Sequence, residues 1–94
     1  MHDYIFYCED AKNVSEKRKA VRPAHIARLQ TLQDAGRLRL AGPLKQFDNT
    51  VCGSLIIATF DNLNEAQEWI AADPYSTAEV YQRITVKLFE AVFS

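Results

Sequence analysis

His25, in the stretch "RPAHIARL", and Asp73, in "AADPYSTAEV", are the two residues of this chain best suited to proton transfer. An imidazole gives or takes a proton near neutral pH. A carboxylate hydrogen-bonded to one ring nitrogen fixes the tautomer and leaves the other nitrogen to act as acid or base. Each residue also has an ordinary structural reading: His25 as a core histidine satisfied by one hydrogen bond, Asp73 as a turn-capping acid before Pro74. The position of Asp73 sharpens the choice. It follows an amphipathic helix, whose C-terminal carbonyls already carry partial negative charge, so the acid either caps a turn or faces a cation.

Three further residues have chemistry to offer a small molecule. Arg22 can contact an anionic substrate or hold a carboxylate, or it is a solvated helix start. Ser54, after Gly53, can donate a hydrogen bond to a ligand, or it is polarity at a strand edge. Tyr75 can wall a pocket or serve as an acid, or it packs. The sequence has no Ser-His-Asp set with defined spacing, no metal-ligand cluster and no phosphate-binding glycine loop, and His2 has no partner nearby. Neither a metal nor a cofactor is expected.

The chain has 94 residues, 48% of them hydrophobic and 24% charged, which suits one domain (residues 1–94) with a single core. Eleven basic and twelve acidic residues give a formal charge of −1, with no basic block resembling a nucleic-acid footprint. The N-terminal stretch "MHDYIFYCED" does not read as a signal peptide, and no window approaches a membrane span. A cytoplasmic location is expected. Cys8 and Cys52 have neither metal-motif spacing nor disulfide-framework density and read as reduced thiols.

Residues 2–9, rich in aromatics and apolar on both alternating faces, predict a first strand. Ser15 to Ala35 is a long helical region with Pro23 inside it, which predicts a short turn or kink before Pro23, a firm helix beyond it, and a stop at Gly36. "RLRLAGPL" predicts a second strand ending at Gly42 and Pro43, and "GSLIIATF" a third, pairing with it antiparallel. Asn64 reads as the N-cap of a second helix that stops at Asp73-Pro74. Val80 to Phe93 predicts a long final strand.

The order β-α-β-β-α-β argues for an α+β sandwich, four antiparallel strands with two helices on one face. On a helical wheel of about 100° per residue with His25 at zero, Leu29 falls near 40°, Leu32 near −20° and Val21 near −40°. His25 therefore lies within the apolar stripe facing the sheet, and Asp73, ending the neighbouring helix, can come near it. The other sheet face stays uncovered although the third and fourth strands are apolar on both sides. That predicts a two-fold dimer with the open faces buried together.

The stretches "RPAHIARLQTLQDAGRLRLAGPL" and "GSLIIATFDNLNEAQEWIAADPY" resemble the YciI-like (YCII-related) family, and the resemblance covers essentially the whole chain. It rests on the histidine after Arg-Pro-Ala, the Ala-Gly-Pro after the second strand, the Gly-Ser opening the third, and the Asp-Pro-aromatic after the second helix. The resemblance implies a ferredoxin-like fold of the dimeric α/β barrel type. It also implies a site pairing His25, as general base or acid, with Asp73 as its orienter, and Ser54 and Arg22 near the pocket. One departure is Ala78-Glu79, where family members often carry Ala-Gly; if glycine there serves a positive φ or close substrate approach, Glu79 alters the turn or narrows the pocket.

The wider superfamily includes cofactor-free enzymes acting on small cyclic or aromatic compounds, and elimination from a chlorinated hydroxyaromatic is associated with this family. The function expected is a small cofactor-independent lyase or isomerase acting on an anionic or hydroxylated cyclic compound. The alternative is a non-catalytic dimeric binding or accessory protein whose His25 and Asp73 stabilise the fold. The partners expected are a small molecule and a second copy of the chain, with no nucleic acid and no membrane.

Overall fold

The computed structural model describes residues 1–94. Its elements are β1 (His2–Asp10), α1 (Ser15–Asp34), β2 (Leu38–Lys45), β3 (Val51–Phe60), α2 (Leu63–Ala71), α3 (Pro74–Thr77) and β4 (Tyr81–Phe89). The strands form one antiparallel sheet in the order β2-β3-β1-β4. This is the α+β ferredoxin-like arrangement, with a short third helix added after α2.

Strand periodicity decides which side chains reach the helices. Cys8 pairs with Ser54 and Ile84, Phe6 with Ile56 and Val86, and Tyr4 with Ala58 and Leu88, so these rows share the helix-facing side. Trp69 of α2 closes the core against Phe6 and Phe60, with ring centroids 5.5 and 5.6 Å away. From α1, only His25, Leu29 and Leu32 are buried, the stripe the wheel predicts. The open face carries Ile5, Tyr7, Leu55 and Ile57 on the central strands, with Asp3, Glu9, Arg83 and Lys87 beside them.

Several boundaries differ from the sequence reading. No turn precedes Pro23; α1 runs unbroken through it. Pro23 and Lys19 lie on the exposed side, so the carbonyl that loses its helical partner meets water instead. The N-cap of α2 is Asn62, whose side chain accepts the Glu65 N–H at 2.9 Å, while Asn64 lies inside the helix and bonds Glu68. Asn62 and Glu65 have capping-box spacing, which outranks a count taken from Asn64. Strand β2 continues through Gly42 and Pro43, because an edge strand tolerates a missing N–H. Strand β4 ends at Phe89, opposite Asp3, where its only neighbour β1 runs out.

Gly36 adopts φ +71° just beyond α1, with Gly36 N–H bonded to the Gln33 carbonyl and Arg37 N–H to that of Leu32. This Schellman closure is the stop the sequence predicts.

Candidate active site

Asp73 does two jobs at the junction of α2 and α3. Its extended backbone, φ −64° and ψ 140°, ends one helix and starts the next, with Pro74 at the first position, where its missing N–H is harmless. The carboxylate therefore sits at the favourable N-terminus of α3. Its Oδ2 accepts the Tyr75 N–H at 2.9 Å and also contacts His25 Nδ1 at 2.8 Å. Its Oδ1 accepts from Arg28 Nη1 at 3.1 Å.

Asp73 is 0% exposed and His25 5%. A buried carboxylate needs charge and hydrogen bonds around it, and three donors supply them. An ionised carboxylate only accepts, so the proton in the contact with His25 belongs on Nδ1. Nε2 then has its lone pair free, and it makes no hydrogen bond to the protein.

Tyr75 is the spacer that organises the site. Its ring stacks on His25, centroids 4.0 Å apart and planes 20° from parallel, while the Arg18 guanidinium lies 4.5 Å from its centroid. His25 and Arg18 are two turns apart on α1, about 10.5 Å along the axis, which leaves room for one ring between them. Burial raises the phenol's pKa above its ordinary value, against the pull of Arg18 and Arg22. Tyr75 thus remains a neutral donor.

Arg18 ties the other side together. Its Nε donates to Asp10 Oδ2 at 2.7 Å, and its Nη2 donates to the Gly53 carbonyl at 2.9 Å and to Ser54 Oγ at 2.8 Å. Burial disfavours this charge, but the Asp10 carboxylate more than offsets it and holds the guanidinium pKa above its ordinary value. With Arg18 donating to its oxygen, the Ser54 hydroxyl keeps its own proton to donate. Gly53 is required here, since a Cβ would collide with the Cys8 carbonyl of the neighbouring strand.

The hydroxyl of Tyr81 is enclosed between Ser54 and Cys8 without a well-formed hydrogen bond. Burial pushes its pKa, too, well above the phenol range.

These side chains surround a cavity of about 160 Å³, lined by His25, Tyr75, Ser54, Arg18 and Arg22 from one side and by Gly42 and Pro43 of β2 from the other. Of the five residues singled out by sequence, four (His25, Arg22, Ser54 and Tyr75) line this cavity and the fifth, Asp73, contacts His25 from outside the lining. Arg22, however, does not hold the carboxylate; it makes no hydrogen bond or ion pair, and Arg28 takes that role. Arg28 and Arg18 were both missed as site residues, although each had a signal. Arg28 is three residues after His25 and Arg18 two turns before it, on the same helix side. Glu79 neither narrows this cavity nor lines it. It keeps the turn by adopting φ +60° itself.

The comparisons with known proteins bear on the family and the fold. A family model described as the YCII-related domain matches residues 2–90. Protein YciI of Escherichia coli O6:H1 is 47% identical over 96 aligned positions, covering 96% of this chain and 98% of the relative. An uncharacterized protein of Haemophilus influenzae is 44% identical over the same coverage. Among solved structures, 5-chloro-2-hydroxyhydroquinone dehydrochlorinase (TftG) of Burkholderia phenoliruptrix AC1100, in complex with 2,5-dihydroxybenzoquinone, superposes with a TM-score of 0.84. It covers 94% of this chain and 93% of its own at 20% identity, a likeness of fold. On the match across nearly all its length, and on relatives identical at almost half their positions, the chain belongs to the YCII-related domain family.

Proposed function

We propose that this protein is a cofactor-independent enzyme of the lyase or isomerase type, using His25 and Asp73 for proton transfer on a small anionic or hydroxylated cyclic compound. The observation that carries the reading is the buried contact between Asp73 and His25 Nδ1, which leaves Nε2 free on a residue that lines the cavity. A cavity of about 150 Å³ accommodates a benzene ring, so the size suits one six-membered ring.

In this scheme His25 Nε2 takes a proton from an acidic C–H or O–H of the substrate. The electron pair left behind stays on the deprotonated oxygen or spreads onto a conjugated carbonyl oxygen, which accepts a hydrogen bond from the Ser54 hydroxyl. It then expels a leaving group from the adjacent carbon, or recovers the proton at another position. Asp73 holds the ring and stabilises the imidazolium that forms. The name of TftG, a dehydrochlorinase, supports elimination as the reaction type.

The open sheet face supports a two-fold homodimer, with Ile5, Tyr7 and Leu55 buried between copies. Sedimentation across a range of concentrations tests this, and a persistent monomer counts against it.

The catalytic reading is tested with chlorinated and unchlorinated hydroxyhydroquinones, following chloride release and absorbance. Native protein should turn over at least one of them, and His25→Gln should lose turnover by about a hundredfold or more while still binding the compound. Binding without turnover in the native protein would favour a non-catalytic binding module instead.

A further inference from the structure

The cavity beside His25 does not end at Arg22. A second chamber of about 560 Å³ adjoins it, and the two share Arg18, Arg22, Pro43 and Tyr75 in their walls. The inner chamber, about 160 Å³, has the base; the outer one has none of the proton-transfer pair in its lining. Its walls are largely apolar, with Ala11, Val14 and Val51 among them, and their polar part is cationic: Lys19 and Arg22 from α1, with Asn13, Ser15 and Thr50 around them.

The charges in that chamber do not cancel. Asp10 is its one carboxylate, and both of its oxygens are engaged by Arg18, at 2.7 and 3.3 Å. Lys19 has only a loose, exposed contact with Glu16 at 3.8 Å. Arg22 has no ionic partner, and Arg18 Nη1 makes no hydrogen bond. Arg18 and Arg22 thus bring unused donors to the wall shared by the two chambers, and Lys19 adds one to the outer chamber. A guanidinium with no partner at the neck of a cavity is suited to an oxyanion, by charge and by its forked donors.

We propose that the substrate is bipartite: a ring-sized head in the inner chamber, presented to His25, and an anionic tail that passes the neck to lie against Arg22 and Lys19. The assignment rests on the inner chamber being the active site. A carboxylate and a phosphate monoester share the required chemistry. The anion serves as an anchor that positions the head, so Arg22 and Lys19 are specificity residues for the tail and take no part in the proton transfer. A neutral compound of the same shape lacks the anchor and leaves the exposed guanidinium in water.

The test is binding, read by NMR on the native protein, with four probes: hydroxyphenylpropanoate, hydroxyphenethyl phosphate, the neutral hydroxyphenylpropanol, and acetate. At least one of the two ring-bearing anions should shift the His25 ring resonances and the Arg22 side-chain resonances in a single saturable event. It should bind roughly tenfold or more tightly than the neutral alcohol. Arg22→Met, at an exposed position, should erase that preference while leaving the alcohol's binding unchanged, and Lys19→Met should reduce it. The tighter of the two anions names the tail.

Equal binding of acid and alcohol, no saturable binding of either ring-bearing anion, acetate binding as tightly as the ring acids, or a preference that survives Arg22→Met would each overturn the proposal. Because the readout is binding, it separates from the catalytic reading. Tail-dependent binding without turnover would leave this proposal standing and sink catalysis, whereas turnover of neutral rings untouched by Arg22→Met would do the reverse.

Discussion

Arg28 Nη1 lies 3.1 Å from Asp73 Oδ1, the oxygen that does not contact His25. The buried carboxylate therefore has two potential counter-ions on its two oxygens. The guanidinium is charged at every accessible pH, whereas the imidazole is charged only when protonated. Arg28 thus gives the buried carboxylate a charged partner on the oxygen that His25 leaves unused. Arg28 also packs over Trp69, its Cζ 4.7 Å from the ring centroid, which fixes the direction of its donors.

Replacing Arg28 with Met should thus do two things. The carboxylate loses a charge-assisted hydrogen bond, and because Arg28 is about a quarter exposed the stability loss should be about 1–2 kcal/mol, below that of a fully buried pair. Asp73 also keeps only His25 as a possible cation. With the carboxylate held on one oxygen only, the His25 ring resonances should shift and any turnover should fall. An unchanged ring spectrum in a folded variant would mean that Arg28 only packs. Arg28→Lys restores charge without the fork and should recover part of the effect.

Glu79 occupies a left-handed position, φ +60°, immediately after α3. The Glu79 N–H bonds the Ser76 carbonyl and the Val80 N–H bonds that of Tyr75, so the turn is a Schellman closure with glutamate where glycine is usual. An L side chain there is strained by about 1–2 kcal/mol. Glu79→Gly should stabilise the protein by about 1 kcal/mol, less than the strain because glycine also gains freedom in the unfolded chain. Thermal and urea unfolding check the sign. Since Glu79 lines neither chamber, ligand binding should not change.

The same turn shows what the sequence could and could not reveal. The departure at Glu79 was visible as a missing glycine, but whether the backbone would change or the residue would strain is settled only by the hydrogen bonds closing the turn. The fold was legible because its signals repeat: strand alternation, the α1 stripe and the glycine stop at Gly36 all point the same way. His25 and Asp73 were legible because each breaks a local rule, a histidine in an apolar stripe and an acid after a helix. Arg28 and Arg18 break none, since arginine on an amphipathic helix is ordinary. Their roles depend on distant partners, Asp73 for one and Asp10 with Ser54 for the other, 45 and 8 or 36 residues away. Pro23 misled for the converse reason, a strong local rule overridden by tertiary anchoring on both sides of it.

Cys8 provides a pH dependence whose sign can be worked out. Its side chain is 0% exposed, and burial pushes its thiol from the usual 9.0 up to about 12. The unfolded chain releases this proton near the ordinary thiol range, about pH 8.5, while the folded chain retains it. Between those two values the folded state binds more protons, so stability must fall as pH rises through the window. Above about pH 10 the raised pKa values of Tyr75 and Tyr81 add losses of the same sign. Cys8→Ala should therefore flatten the stability curve between about pH 8.5 and 10 and leave the steeper limb beyond it. Its cavity lowers the whole curve without changing that shape. Alkylation gives an independent check: in the folded protein the half-buried Cys52 should react while Cys8 stays protected until unfolding. Labelling of Cys8 at the same rate as Cys52 would show that the strand shielding it opens readily, and the alkaline limb would then need another origin.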